Sequence, residues 1–574
     1  MSIFLSVPII PRIIAIGKLI AACTLFDAGL TLRHGIINMI LDSNKEVTAL
    51  FDYIIRQVRI VDGTGSPWTI GDVAVQEGII AAMGKHIAVG AHEIIDGRGL
   101  TLTPGFIDIH THSDFSLLLD GSAASRLLQG VTTEIGGNCG MSPAPVAPER
   151  VDMLKEYTAF FGHGINYHWQ TYAEFLDALA AQRPAVNFGG LVGHGTLRIA
   201  AMGFDNRQPT AGELEKMQQL LDESMQAGAF GMSTGLIYAP GCYADTNELA
   251  KVAAAVAPYG GIYETHMRNE GEHLLESIEE AAEIGRRSGA RVQIAHHKVV
   301  GRLNWGKGKQ SQALIAQLRA QGLDIANDQY PYTASATTIT TIFPDWAHVG
   351  GVDGLLARLS NPDQRTAIRT AVLESMEKRA ERFEDILISE VKTAANKHFE
   401  GMTVAEAALS VGQEAIDFVI DLVLAERAGV SAVTFAMCEE DVQTILAHPL
   451  TMIGSDGASI AMSCSGTPHP RNFGTFARVL SKYVQVGLFS FEEGVRKMTA
   501  APAGRLGLFN RGLIRPGMAA DLVLLASDEL RDNGTFNEPK QAPSGILKVW
   551  VNGQLAVTDG QLTGARAGQI LRRQ

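Results

Sequence analysis

The sequence predicts an α/β fold, a TIM-type (β/α)8 barrel with a small β-sandwich domain and an insertion between strands 7 and 8 of the barrel. Three observations predict it. Apolar strand-like runs alternate with helical patterns through the middle of the chain, short strand-like segments separated by turns occupy both flanks, and histidine, cysteine and aspartate recur where the apolar runs end.

The small β domain is predicted from two separate parts of the chain, residues 51–103 and residues 501–574. Short β-type runs separated by glycine-containing turns fill the first part, and the second part repeats that texture. Residues 1–50 stand apart as an N-terminal extension, since their first apolar run is too short to span a bilayer. We favour an appended segment or a mis-assigned start for this extension over a signal.

The middle of the chain, residues 104–500, is predicted to form the barrel. Helical patterns separate several of its strand-like runs, as a repeating βα unit requires. About 120 residues separate the last two runs, so we expect an insertion near 350–403 that contains charged helices. The eight predicted strands are 105–112, 130–137, 187–193, 229–235, 261–267, 291–297, 323–330 and 451–456.

Composition excludes several classes of partner and environment. The 574 residues carry a formal net charge of −13 and no basic run, so neither nucleic acid nor an anionic membrane is an expected partner. Five cysteines are odd in number and widely scattered, which argues against a disulfide framework and for a reducing, cytoplasmic location. The oligomeric state is left open.

The first predicted barrel strand ends in His110-Thr111-His112. Alternate residues of a strand face the same side, so both imidazoles are expected to project together from the strand end. Paired imidazoles suit a divalent transition metal, most often zinc. Further candidate ligands follow other predicted strands: Cys139, His266, His296 and Asp456.

Each of these residues alone has an ordinary structural explanation. A lone buried histidine is more often a core residue, and a lone cysteine is usually a small buried hydrophobe. Only one of His296 and His297 is expected to face the barrel mouth, because neighbours on a strand point to opposite sides. Their joint occurrence at one end of five predicted strands indicates a metal centre, since TIM-barrel sites form at that end.

The motifs resemble those of the D-aminoacylase (N-acyl-D-amino-acid deacylase) family of the amidohydrolase superfamily, from about Phe51 to the C-terminal strands. His-x-His and a late aspartate are shared across the superfamily, whereas Asn138-Cys139-Gly140 is more specific. Most binuclear relatives use a carboxylated lysine where this family places the cysteine. The resemblance rests on segments 104–112, 137–140, 233–238, 264–268, 296–298, 454–457 and 468–471.

The resemblance implies a tight Zn²⁺ site and a second, weaker metal position. The tight zinc would be held by Cys139, His266 and His296, and the weaker position by His110, His112 and Asp456. It further implies Asp456 as the general base that passes the water proton to the leaving amine. The substrate would be a small N-acyl-D-amino acid, cleaved to a carboxylate and a free D-amino acid.

The family's substrate-facing residues match Tyr238, Lys298, Tyr330 and Arg471. A cationic fork and hydroxyl donors of this kind suit the carboxylate beside the scissile amide. Segment 337–349 is expected to border the side-chain pocket, and it contains no lysine or arginine but does contain Asp345. We therefore predict a preference for neutral or hydrophobic D-amino acids over D-glutamate or D-aspartate.

Three other interpretations stay open. A cyclic-amide hydrolase of the dihydroorotase or hydantoinase kind would use a carboxylated lysine on strand four, but 231–235 contains no lysine. A deaminase on the same barrel is a related alternative, in which Cys139 is unexpected. A non-catalytic barrel acting as a scaffold is disfavoured, because every predicted ligand position is filled.

Overall fold

The computed structural model describes residues 50–161 and 164–573. The expectation for residues 1–50 therefore concerns a segment of which all but Leu50 lies outside the described residues. The strands are β1 (Phe51–Ile60), β2 (Thr69–Gln76), β3 (Ile79–Gly84), β4 (Ala91–Asp96), β5 (Thr101–Pro104), β6 (Phe106–Asp108), β7 (Val131–Gly136), β8 (Asn187–Gly190), β9 (Val192–Gly193), β10 (Gly231–Gly235), β11 (Ile262–His266), β12 (Arg291–Ile294), β13 (Ile325–Gln329), β14 (Ser335–Thr338), β15 (Ile386–Glu390), β16 (Ser431–Thr434), β17 (Thr451–Ile453), β18 (Leu522–Leu525), β19 (Ile546–Val551), β20 (Gln554–Thr558) and β21 (Gln561–Leu562).

Most of the helices follow barrel strands and cover the outside of the barrel. Several begin with a threonine whose side chain accepts from the third residue of the helix, as at Thr171 and Thr210. The helices are α1 (Ser113–Leu119), α2 (Ala124–Leu127), α3 (Val151–Thr158), α4 (Tyr172–Ala181), α5 (His194–Met202), α6 (Ala211–Gln226), α7 (Thr246–Ala253), α8 (Leu274–Ser288), α9 (Gly308–Ala320), α10 (Gly351–Ser360), α11 (Pro362–Arg379), α12 (Val404–Ser410), α13 (Ala415–Ala425), α14 (Glu439–Ala447), α15 (Arg471–Arg478), α16 (Phe491–Lys497) and α17 (Ala500–Leu506).

The barrel consists of parallel strands in two hydrogen-bonded runs, β6-β7-β8 and β9-β10-β11-β12-β13-β17. β8 and β9 are two halves of one stretch interrupted at Leu191. The barrel closes just beyond β6 and β17, where Asp456 N donates to His110 O at 2.9 Å and His112 N donates to Gly457 O at 2.8 Å. The fold class predicted from the sequence is confirmed.

Apolar side chains fill the end of the barrel at which the strands begin. Ile107, Ile262 and Met452 pack there with Ala503 and Leu506 of α17 in one buried cluster. α17 belongs to the stretch that the sequence assigned to the small domain, yet it seals the barrel. Chemistry is therefore restricted to the other end, where the strands finish.

The small β domain joins both parts of the chain in one sheet, ordered β21-β20-β19-β18-β5-β1-β2-β3, with β4 also paired to β1. The junction is the antiparallel pair β5–β18, in which Leu102 faces Leu524. Tyr53 and Trp550 stack with ring centroids 5.5 Å apart, so residues from the two parts share one core.

The insertion is a unit with its own three-stranded sheet, ordered β14-β16-β15, and its own hydrophobic core built with α10 to α13. It occupies more of the chain than the predicted 350–403, since β14 begins at Ser335 and β16 ends at Thr434. β14 is a Ser-Ala-Thr-Thr strand without an apolar pattern, which explains why the sequence did not reveal it. Within the described part of the chain, no helix has the length and apolar character that a bilayer crossing requires.

Candidate metal centre and active site

His110 and His112 converge on one carboxylate at the mouth of the barrel. β6 ends at Asp108, so the two histidines lie in the turn after the strand and not at alternate positions within it. Their Nε2 atoms nevertheless lie 3.5 and 3.2 Å from Asp456 Oδ1. Asp108 Oδ1 accepts from Ser455 N at 2.9 Å, which fixes the β17 turn that carries Asp456 against the β6 turn.

Cys139 lies in a tight turn after β7, with its Sγ 3.4 Å from His110 Nε2 and 3.4 Å from His296 Nε2. Its φ is +52°, a left-handed conformation that is unfavourable for a residue with a side chain. Gly137 allows the turn, because a Cβ there would lie 2.0 Å from Leu191 O. The turn thus places a buried thiol between imidazoles from two other strands.

His266 and His296 approach each other across the ends of β11 and β12. His296 Nε2 lies 3.0 Å from His266 Nδ1, and both side chains are buried. β12 ends at Ile294, and His296 turns into the mouth with a φ of +32°. His297 points away toward Gln312, so one member of the His-His pair faces the site, as the sequence analysis expected.

Two groups of residues have ligand atoms within 4.8 Å of one another: His110, Cys139, His296 and Asp456, and then His266, Glu270 and His296. The histidine nitrogens that face the centre of the site, called the inner nitrogens, form a donor set with the thiol and the carboxylate, and this set suits zinc. Burial raises the pKa of the Cys139 thiol to about 12. A bound cation would lower this pKa and hold the thiol as a thiolate at neutral pH, so the residues present fit a metal.

Burial raises the pKa of Asp456, but Arg471 and the nearby histidines outweigh that effect and hold the pKa well below its ordinary range. The carboxyl group is therefore ionised at neutral pH. Arg471 makes the closest ion pair, with NH1 2.7 Å from Asp456 Oδ2. An ionised aspartate beside His110 and His112 can act as a metal ligand or as a base.

A second layer of carboxylates lies behind the histidines, and the sequence analysis gave it no role. His110 Nδ1 is 3.2 Å from Asp328 Oδ1 and 3.5 Å from Glu264 Oε1. Burial raises the pKa of Glu264 to about 8, so this side chain is largely protonated at neutral pH. Glu270 lies behind His266 and His296, on the side of their outer nitrogens, which face away from the centre of the site. Its Oε2 is 3.6 Å from His266 Nε2, and its Oε1 is 3.2 Å from His296 Nδ1.

A period-two pattern could have revealed Glu264, which precedes His266 by two residues in β11 and shares its face of the strand. Asp328 lies at the end of β13, the position where TIM barrels carry functional residues. Glu270 lies in the turn after β11, and no periodicity signals it.

The structure brings all four predicted substrate-binding residues to this mouth. The Arg471 guanidinium stacks over Tyr330, 5.0 Å from the ring centroid, and its NH2 donates to Ala336 O at 3.1 Å. Tyr238 has its ring centroid 5.3 Å from that of His266. Lys298 Nζ lies 2.6 Å from Glu270 Oε1 and 2.6 Å from His296 Nδ1.

β14 of the insertion contacts this substrate-binding group. Thr337 Oγ1 lies 3.0 Å from the Tyr238 hydroxyl, and Ala336 O accepts from Arg471. His469, which the sequence analysis quoted without a role, accepts from Arg471 N through Nδ1 at 2.9 Å. Its Nε2 donates to Ala334 O, just before β14, at 2.9 Å.

Comparison with known proteins places these motifs in a wider context. Residues 93–557 match the model of the Amidohydrolase family. A D-aminoacylase of Alcaligenes xylosoxydans xylosoxydans is 37% identical over 91% of this chain and 98% of its own length. An N-acyl-D-aspartate deacylase of the same organism is 37% identical over 92% of this chain and 96% of its own length.

A solved structure shows a comparable fold. It is an N-acyl-D-glutamate deacylase from Bordetella bronchiseptica in complex with zinc and a phosphonate inhibitor that mimics the tetrahedral intermediate. It is 34% identical, with a TM-score of 0.77, over 91% of this chain and all of that chain.

Proposed function

This chain belongs to the amidohydrolase family, and from that premise we propose that it hydrolyses the amide bond of N-acyl-D-amino acids with a zinc ion. The observation that carries the proposal is the buried group of one thiol, four imidazoles and Asp456, with Arg471 beside it. The products would be a carboxylate and a free D-amino acid.

The tight zinc would be held by Cys139, His266 and His296, whose inner atoms face one another. His110, His112 and Asp456 form the second position, which we propose as weaker. Zinc bound in the tight site would polarise the scissile carbonyl and lower the pKa of a water molecule. Because the Cys139 thiol is buried and free, a reducing compartment such as the cytoplasm suits this site.

Asp456 is the proposed general base and general acid. Its low pKa keeps it ionised, and Arg471 orients it through Oδ2 while Oδ1 faces His110 and His112. The carboxylate would take a proton from the attacking water and deliver it to the leaving amine. A positioned base of this kind contributes about 100- to 10,000-fold to a rate.

Arg471 is the proposed anchor for the substrate carboxylate, with Tyr238, Tyr330 and Lys298 beside it. Arginine presents a planar fork of donors that matches a carboxylate. The Arg471 guanidinium lies over Tyr330, its NH2 donates to Ala336 O, and its NH1 pairs with Asp456. This support leaves the guanidinium few alternative orientations.

The proposed side chain of the substrate is neutral or hydrophobic. The nearby cations are already assigned, Arg471 and Lys298 to the carboxylate beside the scissile amide and Arg268 to its ion pair with Glu280. An acidic substrate side chain would need an additional cation, and segment 337–349 supplies none. The relatives act on different side chains according to their names, so they do not decide this point.

The proposal is tested by acetate release from N-acetyl-D-methionine, N-acetyl-L-methionine and N-acetyl-D-glutamate with protein of known zinc content. We expect turnover of the D-methionine compound, little of its L-enantiomer and slower turnover of the D-glutamate compound. Faster turnover of N-acetyl-D-glutamate would overturn the side-chain assignment alone. A zinc-loaded protein that cleaves neither enantiomer but opens hydantoin or dihydrouracil would be a cyclic-amide hydrolase instead.

A further inference from the structure

Glu270 lies behind two of the proposed zinc ligands. Its Oε2 is 3.6 Å from His266 Nε2, and its Oε1 is 3.2 Å from His296 Nδ1. These are the outer nitrogens, while the inner nitrogens of the two rings lie 3.0 Å apart at the site. We propose that Glu270 is a positioning residue that fixes the orientation and the tautomer of both histidines for zinc.

The tautomer follows from the arrangement of the nitrogens. A neutral imidazole carries one N–H and one lone pair, and a metal needs the lone pair. His266 would bind through Nδ1 and His296 through Nε2, so their N–H groups must be on the outer nitrogens. Glu270 is the carboxylate beside both of them, 3.2 Å from His296 Nδ1 and 3.6 Å from His266 Nε2, a buried nitrogen with no hydrogen-bond partner among the described residues.

Lys298 shows why a carboxylate is needed at this position. Its Nζ lies 2.6 Å from His296 Nδ1 and 2.6 Å from Glu270 Oε1. An ammonium group cannot accept a hydrogen bond, so it cannot serve an Nδ1–H of His296. At this distance the ammonium can donate to Nδ1, which favours the tautomer that carries its N–H on the inner nitrogen. Glu270 Oε1, 3.2 Å from Nδ1, is the acceptor that opposes this by pairing with the ammonium and offering itself to an Nδ1–H.

The turn that carries Glu270 is held on both sides. Val300 N donates to Glu270 O at 2.8 Å, which ties the turn to the loop after β12. Asn269 N donates to Ser277 Oγ at 3.1 Å, and Asn269 Oδ1 accepts from Gly271 N at 2.9 Å. Glu270 is thus fixed relative to both strands whose histidines it contacts, as a positioning group requires.

This arrangement differs from a second metal site at His266, Glu270 and His296. The nitrogens that Glu270 approaches are the outer ones, and Lys298 Nζ already places a positive charge 2.6 Å from the carboxylate. A cation at that point would face the ammonium directly. The geometry therefore favours a supporting role for Glu270 over a ligand role.

The inference rests on the proposed tight zinc site and not on the proposed substrate. It is tested with full-length wild type, Glu270→Gln and a matched control, Glu272→Gln, whose side chain is exposed two residues along. Zinc affinity is measured by competition with a chelator, and the visible spectrum of the cobalt-substituted protein reports ligand geometry. Glu270→Ala gives a second variant, and thermal unfolding of each metal-free protein reports the fold.

We expect Glu270→Gln to bind zinc about 10- to 100-fold more weakly, with an altered cobalt spectrum, because its amide can accept at one histidine but donates at the other. Glu272→Gln should match wild type. Wild-type zinc affinity and an unchanged cobalt spectrum in both Glu270 variants would overturn the inference and leave the zinc site standing. A wild type without tight zinc would overturn the inference together with the metal site, whatever substrate is cleaved.

Discussion

The metal half and the substrate half of this site are held in different ways. The proposed metal ligands lie either at the last residue of a barrel strand, as His266 does in β11, or in the turns directly after the strands. Carboxylates of the same barrel support them, as Asp328 supports His110. The substrate half depends on the insertion as well, since β14 contacts Tyr238 through Thr337 and Arg471 through Ala336. One half is fixed by the barrel, and the other by a strand that leads into a separately folded unit.

The difference teaches where change can be absorbed. Moving a metal ligand would require a shift of hydrogen-bonded barrel strands, such as β10 and β11, where Gly235 lies opposite His266. Moving the substrate half requires only a new packing of β14, a half-buried strand of small residues. Reaction chemistry is therefore the rigid property of this molecule, and substrate choice is the adjustable one.

The largest expected effect comes from removing the thiolate of the metal half. Cys139→Ala should lose tight zinc and measurable turnover together, because no other described thiol lies in the site. Zinc content after dialysis and acetate release from N-acetyl-D-methionine check this. Cys464 is a half-buried cysteine in a loop, so Cys464→Ala is the control and should keep both the tight zinc and the turnover. A Cys139→Ala protein with full zinc would break the comparison, since the barrel-held ligands would then be dispensable.

Asp456 lies where the two halves meet, between His112 and Arg471. Asp456→Asn should lower kcat by about 100- to 10,000-fold, because an amide cannot take the proton of the attacking water. The tight zinc should remain bound, as Asp456 is not among its three proposed ligands. Loss of the tight zinc in this variant would contradict that division, and zinc analysis beside steady-state kinetics decides it.

Arg471→Lys tests the substrate half, with a smaller effect on Asp456, which Arg471 also contacts. A lysine keeps the charge but not the planar fork, so KM should rise about 10- to 100-fold, with a smaller change in kcat. Zinc affinity should stay at the wild-type value. Arg286→Lys, at an exposed position, is the matched control. An unchanged KM would mean that the carboxylate of the substrate is held elsewhere.

The smallest effect is expected from the contact between the insertion and the barrel. Thr337→Val removes the hydroxyl that meets Tyr238 and should lower kcat/KM by about 2- to 10-fold, the worth of one hydrogen bond. Thr341→Val is the control, because its hydroxyl donates to Thr338 O within the insertion. Equal kinetics of the two variants would show that β14 does not position the substrate half.

Much of the fold could be predicted because barrel strands are short apolar runs bounded by turns. The run 261–267 became β11 (Ile262–His266), and 130–137 became β7 (Val131–Gly136). The insertion was placed by chain length alone, so its bounds were too narrow. β14 carries no apolar pattern, and its strand conformation depends on pairing with β16.

The metal ligands were predicted from residue types at strand ends, whereas their support was not. Glu270 and Lys298 are 28 residues apart in sequence. They meet only because the fold brings together the turns after β11 and β12, so no local pattern could assign Glu270 its role. His110 and His112 were predicted to face the same side because they would alternate within a strand, but β6 ends at Asp108 and both residues lie in the turn after it. Their convergence depends on hydrogen bonds across the barrel closure, which no local pattern encodes.

Three residues of the proposed chemistry share a backbone conformation, since the φ angles of Cys139, His296 and Asp456 are +52°, +32° and +52°. Such a conformation costs roughly 1–2 kcal/mol for a residue with a Cβ, and somewhat less for aspartate. Glycine would relieve this cost at each position and would also abolish the donor group. At these three positions, therefore, the backbone is held in a costly conformation by the requirement for a donor group, so the side chains that serve turnover are not the ones that the local backbone favours.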